Sequence, residues 1–191
     1  LVLYLSRLHE KKGLDLLIEA FGDVALRHPG VHLVIGGSGD PALVRQLKAM
    51  AQHHSVGHRI HWLGMLQGDM KWGALHAADT FVLPSHQENF GIAVAEALGC
   101  GLPVLISNMV NIWRVVADAG AGLVEDDTAE GTKRLLQGFL NMNADDRHAM
   151  SAAARHLFDA RYSVDAMAES LIAMAELVRD AQAAVPEGAP A

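Results

Sequence analysis

The 191-residue sequence predicts an α/β domain in which a parallel six-stranded sheet carries helices on both faces. The first observation is that short, almost uninterrupted apolar runs recur along the chain, as expected for strands that are buried on both sides. The second is that segments with apolar residues at helical spacing lie between these runs. Strands and helices that alternate in this way form right-handed βαβ units, and such units build parallel sheets.

Six apolar runs predict the strands, and helical segments or polar loops separate them. The strands are expected at 1–6, 31–35, 59–63, 80–83, 103–107 and 123–125. The helices are expected at 14–28, 41–54, 69–78, 90–99, 112–117, 128–141, 144–160 and 164–179. Asp40 before Pro41 has the residue types of an N-cap and a first helical position, and Asp69 is expected to cap the next helix.

The domain is expected to span 1–178, and the Ala-, Pro- and Gly-rich residues 179–191 are expected to form a flexible tail. The chain begins inside a strand without an initiator Met, so we expect a fragment whose N-terminal part is missing. A hydrophobic content of 51% is enough for a sizeable core, and a net charge of −7 argues against a nucleic-acid-binding protein.

Metal sites and disulfides are not expected. The single Cys100 excludes an internal disulfide and a multi-cysteine metal site, and it indicates a reducing compartment only weakly. The eleven histidines show no ligand spacing such as H-E-x-x-H on a helix. No apolar run reaches the roughly 18 residues of a membrane-spanning helix, so we expect no membrane contact through this domain.

The loops that follow the strands carry the candidate functional residues, because ligands of open parallel sheets bind beyond the carboxyl ends of the strands. Arg7 and Lys12 flank the first loop, where a guanidinium and an ammonium could neutralise a diphosphate without a metal. The loop at Gly37-Ser38-Gly39 fits the dinucleotide pattern G-x-G-x-x-A, but it follows the second strand, and no acid ends the next strand. We therefore expect a backbone approach to a phosphate or sugar rather than NAD binding, or simply a tight turn.

Two carboxylates, Glu88 and Glu96, stand eight positions apart around an Asn-Phe-Gly turn that opens an apolar helix. The free N–H groups and the dipole of a helix start favour an anion. Glu96 borders the apolar stripe in the second turn, where it could accept hydrogen bonds from ribose hydroxyls. Glu96 could also be an ordinary surface charge. Glu88 could be an acid that is only stabilised by the dipole of the helix that follows it. A glycosidase pair is disfavoured because the helix separates the two acids too far.

The segments Ser6 to Gly13 and Glu88 to Glu96 resemble the family 4 retaining glycosyltransferases of the GT-B fold. The chain is similar to their C-terminal, donor-binding domain, a Rossmann-like half of the enzyme, and the resemblance covers 1–174. The glycine-rich loop, Pro84-Ser85 and Gly101-Leu-Pro-Val104 follow in the family's order. The full-length protein is then expected to be a hexosyltransferase whose acceptor domain precedes this chain, and the isolated domain is expected to be inactive.

The resemblance also implies the roles of individual residues. Arg7 and Lys12 would hold the donor diphosphate, and Glu88 would contact the transferred sugar; these three are the predicted catalytic residues. The remaining predicted donor-binding residues line the nucleotide and the sugar: Gly37, Ser38, Met65, Asn89, Phe90, Gly91, Ile92 and Glu96. Among them Met65 would border the base, Glu96 would bind the ribose, and the backbone amides of 89–92 would approach sugar and phosphate. No metal or other cofactor is implied.

Two single positions and one segment depart from the family pattern. Ser6 stands where family members often have glycine. Asn89 stands where glycine is common, and we expect it to tolerate a left-handed backbone there. Val110 to Arg114 replaces a Gly-Gly-Ile-Pro-Glu segment near the acceptor side, which puts acceptor transfer by analogy in doubt.

The resemblance implies a nucleotide-sugar donor, a sugar or lipid-linked acceptor, and a cytoplasmic location with any inner-membrane attachment through the missing domain. A nucleotide-sugar epimerase or phosphorylase of the same architecture is an alternative, as is a non-catalytic nucleotide-binding module.

Overall fold

The computed structural model describes the backbone of residues 1–183 and the side chains of residues 1–179. Its centre is a six-stranded parallel sheet with the order β3-β2-β1-β4-β5-β6, which confirms the predicted fold. The strands are β1 (Val2–Leu5), β2 (Leu33–Gly36), β3 (Ile60–Gly64), β4 (Thr80–Leu83), β5 (Val104–Ser107) and β6 (Gly122–Glu125). The strand order reverses between β1 and β4, and ligand crevices of such sheets open at this point.

The helices lie on both faces of the sheet. They are α1 (Leu14–Ala25), α2 (Pro41–His53), α3 (Gly68–Ala77), α4 (Ile92–Gly99), α5 (Trp113–Asp118), α6 (Ala129–Asn141), α7 (Ala144–Arg161) and α8 (Val164–Ala183). Right-handed crossovers place α1 and α2 on one face and α3, α4 and α5 on the other. The later helices extend these layers, because α6 packs on α1 and α7 packs on α4.

The core consists of the four central strands and the helix faces that cover them. Every residue of β1, β2, β4 and β5 is buried, whereas the edge strands β3 and β6 are partly open. Phe21, Phe81 and Phe139 are fully enclosed, and so is Tyr4 in the middle of β1. Burial raises the pKa of the Tyr4 phenol well above its ordinary value, so this side chain stays neutral.

Local details differ from the sequence predictions at several element ends. Asp40 does cap α2, since its carboxylate accepts from the Ala42 N–H at 2.6 Å. The prediction for Asp69 is wrong: Gln67 is the N-cap of α3, and Asp69 lies inside the first turn. One-turn 3₁₀ helices at Glu10–Lys12 and Gly57–Arg59 were not predicted.

The C-terminal helix is longer than expected. α8 continues to Ala183, four residues beyond the predicted end at 179. The rest of the predicted tail, 184–191, lies outside the described residues. Within the part of the chain that the structure describes, none of the helices is both long enough and apolar enough to cross a bilayer.

Candidate functional site

The loops after β1, β2 and β4 and the end of β3 are tied together at the carboxyl edge of the sheet. The Leu8 N–H donates to the Ser38 carbonyl at 2.9 Å, and the Gly37 N–H donates to the Gly64 carbonyl at 2.6 Å. On the other side of β1, the His86 N–H donates to the Lys11 carbonyl at 2.9 Å. The edge is therefore a connected platform of backbone, on which side chains from distant parts of the sequence are held close together.

Gly37 is required by this platform. Its backbone φ of 142° is one that residues with a side chain rarely adopt. A Cβ at this position would also stand 1.9 Å from the Ser6 carbonyl oxygen. The glycine-rich loop therefore has a structural reason of its own, namely the close approach of the β1 and β2 loops. The neighbouring Ser38 is exposed, and its backbone carbonyl serves the loop contact.

A cavity of about 210 Å³ brings together predicted site residues from four elements. Arg7 comes from the β1 loop, Gly37 from the β2 loop, Met65 from the β3 loop and Glu96 from α4. A wider recess of about 840 Å³ adjoins it and shares Arg7 and Met65, with Ser38 on its wall. Arg7 and Met65 are exposed, so both side chains are available to a ligand.

Glu96 is not a free surface charge. Its carboxylate lies 2.6 Å from the ammonium of Lys71 on α3, and the two side chains are 24% and 27% exposed. Lys71 also lines the small cavity. Lys71 could not be predicted as a site residue, because a single lysine on a helix with a weak apolar stripe gives no sequence signal.

Lys12 and Glu88 form a second ion pair, and both side chains are largely buried, at 16% and 19% exposure. Gly13 makes the approach possible: it has φ 64°, and a Cβ there would lie 1.8 Å from the Pro84 carbonyl oxygen. From the sequence, Lys12 was expected at the donor diphosphate and Glu88 at the transferred sugar. The structure places them in direct contact, where they neutralise each other.

The backbone of Glu88 is fixed by the segment that departs from the family pattern. The Glu88 N–H donates to the Met109 carbonyl at 3.1 Å, and the Asn111 N–H donates to the Glu88 carbonyl at 3.0 Å. Val110 is fully buried beneath this contact. Trp113 and Arg114 stack on each other 4.4 Å apart, from the ring centroid to the guanidinium carbon. The departure at Val110 to Arg114 therefore still supports the Glu88 turn.

The start of α4 differs from its prediction by two residues. Gly91, not Asn89, takes the left-handed conformation, with φ 78°, and the helix begins at Ile92. The expectation that Asn89 must tolerate a left-handed backbone is wrong, because Asn89 has no positive φ. No side chain caps this helix start, so its first N–H groups stay available to an anion.

The side chains of the turn point in different directions. Phe90 packs edge-to-face on Tyr162 at a centroid distance of 5.6 Å, which directs its ring towards the end of α7. Ile92 is 70% exposed. Across the described residues, no three His, Cys, Asp or Glu side chains are grouped so that they could hold a metal ion.

The family described as glycosyl transferases group 1 matches residues 1–157 of this chain. Two curated relatives give the level of similarity. A phosphatidyl-myo-inositol mannosyltransferase of Mycolicibacterium smegmatis is 34% identical over 142 residues, which are 73% of this chain and 36% of the relative. A D-inositol 3-phosphate glycosyltransferase of Xylanimonas cellulosilytica is 30% identical over 174 residues, which are 90% of this chain and 41% of the relative.

A solved structure agrees with these matches. Sucrose-phosphate synthase from Thermosynechococcus elongatus superposes with a TM-score of 0.78 at 26% identity, over 96% of this chain and 46% of that protein. The chain thus spans less than half the length of each of these three relatives.

Proposed function

Because the chain belongs to the group 1 glycosyltransferases, we propose that it carries the donor site of a retaining glycosyltransferase. The reaction would move a hexose from a nucleotide-diphosphate sugar to an acceptor hydroxyl. The observation that carries this proposal is the cavity in which Arg7, Gly37, Met65 and Glu96 meet, since these residues come from four separate elements. The family match favours a transferase over an epimerase or phosphorylase.

The proposed ligand track runs along the carboxyl edge of the sheet. Glu96 would accept hydrogen bonds from the ribose hydroxyls, with Met65 beside the base. Gly37 and Ser38 would pass close to the ribose and phosphates. Arg7 would hold the diphosphate, together with the free N–H groups that start α4. The helix dipole and charge-assisted hydrogen bonds would both stabilise an anion at this position.

Catalysis would rest on stabilising the diphosphate as it leaves. Arg7, Lys12 and the N-terminus of α4 supply positive charge without a metal, where negative charge develops. In the free protein, Glu88 neutralises Lys12. A bound donor would divide this pair, with the phosphate taking Lys12 and a hydroxyl of the transferred sugar donating to Glu88. Asn89, Phe90, Gly91 and Ile92 would offer backbone amides to the same ligand.

The acceptor site is proposed to lie on the part of the full-length protein that precedes this domain. The names of the relatives, an inositol-lipid mannosyltransferase and an inositol phosphate glycosyltransferase, favour a hydroxylated or lipid-linked acceptor. This domain would then bind donor but not complete transfer alone. We propose a cytoplasmic enzyme, with any contact to the inner membrane made by the preceding domain.

Calorimetry with UDP, GDP and ADP tests the donor site. We expect at least one of the three to bind the 191-residue chain, and Arg7→Ala with Lys12→Ala to remove measurable binding. Lys133→Ala is the matched control, since it also removes a lysine from an ion pair. Its partner is Asp23, which lies near the C-terminal end of α1, whereas the β1 loop precedes the start of that helix. Absence of binding by all three nucleotides to the unaltered chain would refute the proposal. Equal binding by the double variant would refute the assigned residues.

A further inference from the structure

A second cavity, of about 410 Å³, lies across the β1 loop from the nucleotide track, between the first turn of α1 and one face of α2. Its volume is within the range of small-molecule sites. This cavity adjoins the wide recess beside Arg7, and His9, Glu10, Leu43 and Gln46 line both. None of the predicted donor-binding residues in the described chain lines this second cavity, so it needs an explanation of its own.

The floor of the cavity is apolar. Leu14 of α1 and Leu47 of α2 are almost fully buried, and Leu43 and Met50 of α2 are half-buried beside them. Such a floor suits the C–H face of a small ring, and the flexible thioether of Met50 can adapt to its shape. The floor alone would accept any apolar group of suitable size.

The rim of the cavity offers both hydrogen-bond donors and acceptors. His9 Nδ1 accepts from the Lys11 N–H at 3.2 Å, so the neutral ring carries its proton on Nε2 and can donate. Gln46 can donate and accept, whereas Glu10 and Asp15 accept only. A hydroxyl group donates and accepts at once, so a ring with several hydroxyls matches this mixed rim.

His86 closes the cavity in a fixed orientation. Its Nδ1 lies 2.7 Å from the Asp127 carboxylate, which leaves Nε2 on the cavity side, 3.9 Å from Asp15. Two hydrogen bonds hold the loop behind it: the Ser85 hydroxyl donates to the Lys11 carbonyl at 2.8 Å, and the Ser107 hydroxyl donates to the Ser85 carbonyl at 2.5 Å. The wall is therefore preorganised.

The charges around the rim disfavour an anion. Glu10 and Asp15 face the cavity, and Asp127 lies directly behind His86. The one lysine on the rim, Lys11, directs its ammonium to the Gln87 side-chain oxygen at 3.2 Å. A phosphate or carboxylate would meet these three carboxylates against the single ammonium of Lys11, and like charges repel at such distances.

We propose that this cavity binds an uncharged hydroxylated ring, a sugar or a cyclitol, at a site separate from the nucleotide. The apolar floor takes the C–H face of the ring, and the rim takes its hydroxyls. The proposal stands on the geometry of the cavity and does not require the donor site. His86 and Glu88 belong to the same loop, so a ring bound here lies one loop away from the proposed position of the transferred sugar.

NMR titration of the ¹⁵N-labelled chain with myo-inositol, D-mannose and D-glucose tests the proposal. We expect at least one ring to cause saturable shifts in the amides of 9–15 and 43–50, with a Kd in the millimolar range. Asp15→Asn combined with Gln46→Ala should weaken binding by about tenfold or more, which corresponds to roughly 1.4 kcal/mol. Gln52→Ala, on the same helix but outside the cavity, should bind as the unaltered chain does.

The spectra also give the results that would overturn the proposal. The proposal is wrong if none of the three rings shifts these amides. It is also wrong if the double variant keeps a folded spectrum and binds the ring as tightly as the unaltered chain does. Pyrophosphate binding at 43–50 would contradict the charge argument. UDP should shift the amides of α4 and leave 47–50 unchanged, because Leu47 and Met50 line only the second cavity. Failure of UDP to bind would therefore count against the donor site only.

Discussion

Replacing Gly13 by alanine should destabilise the domain strongly, because Gly13 is where the β1 and β4 loops touch. Its φ of 64° is left-handed, and the new Cβ would stand 1.8 Å from the Pro84 carbonyl oxygen. A left-handed alanine costs about 1–2 kcal/mol by itself. A backbone oxygen cannot move aside without displacing the end of β4, so the total should reach about 3 kcal/mol or more.

Urea unfolding followed by circular dichroism measures this loss, and a thermal scan should show Tm lower by about 6–12 °C for a domain of this size. Gly73→Ala is the matched control. Gly73 lies within α3, a Cβ there meets nothing within 4 Å, and the substitution should stabilise by about 0.5–1 kcal/mol. A loss below about 1 kcal/mol for Gly13→Ala would refute the assigned backbone contact.

Three further predictions concern single groups. Glu96→Gln should weaken nucleotide binding about tenfold, and the free energy of unfolding should change by less than about 1 kcal/mol because the pair with Lys71 is partly exposed. Calorimetry measures the binding and urea unfolding measures the stability. Equal nucleotide binding would contradict the ribose role of Glu96. The hydrogen bond from Lys133 holds the pKa of the Asp23 carboxyl in the folded protein below its ordinary value of 3.8. This pair therefore stabilises the fold at pH values above 3.8, and the stabilisation is lost as the pH falls through the lower pKa of the folded state. A carbon-detected NMR titration should show the Asp23 pKa rising in Lys133→Ala, and no change would contradict the pairing. Burial raises the pKa of the Cys100 thiol, so Cys100 should react with a thiol reagent at pH 8 more slowly than a cysteine in the unfolded chain; equal rates would contradict this.

The sheet could be predicted from the sequence because its signals are local. Each central strand is a short apolar run, and each crossover helix has its own apolar stripe, so strand number, strand direction and both helix layers follow from pattern alone. Element ends were less certain. The start of α4 depends on the left-handed Gly91, and the end of α8 depends on how far an exposed helix continues.

Parts of the candidate site were also accessible from the sequence. Arg7, Gly37, Met65 and Glu96 could be grouped because residues after parallel strands meet at one edge. Which of these residues bind a ligand stays a prediction.

The ion pairs could not be predicted from the sequence. Lys71 reaches Glu96 across 25 positions, and Lys12 reaches Glu88 across 76. Such contacts depend on where the side chains point in the folded protein, and the spacing of residues in the sequence does not give these directions. The cavity between α1 and α2 is of the same kind, because its floor and its rim come from three separate segments.

A crystal structure of the chain with bound UDP or GDP tests the central claim most directly. The account predicts the diphosphate within hydrogen-bonding distance of Arg7 and the first N–H groups of α4, with the ribose hydroxyls on Glu96. A nucleotide seated elsewhere, above all between α1 and α2 with Arg7 and Glu96 untouched, would contradict it.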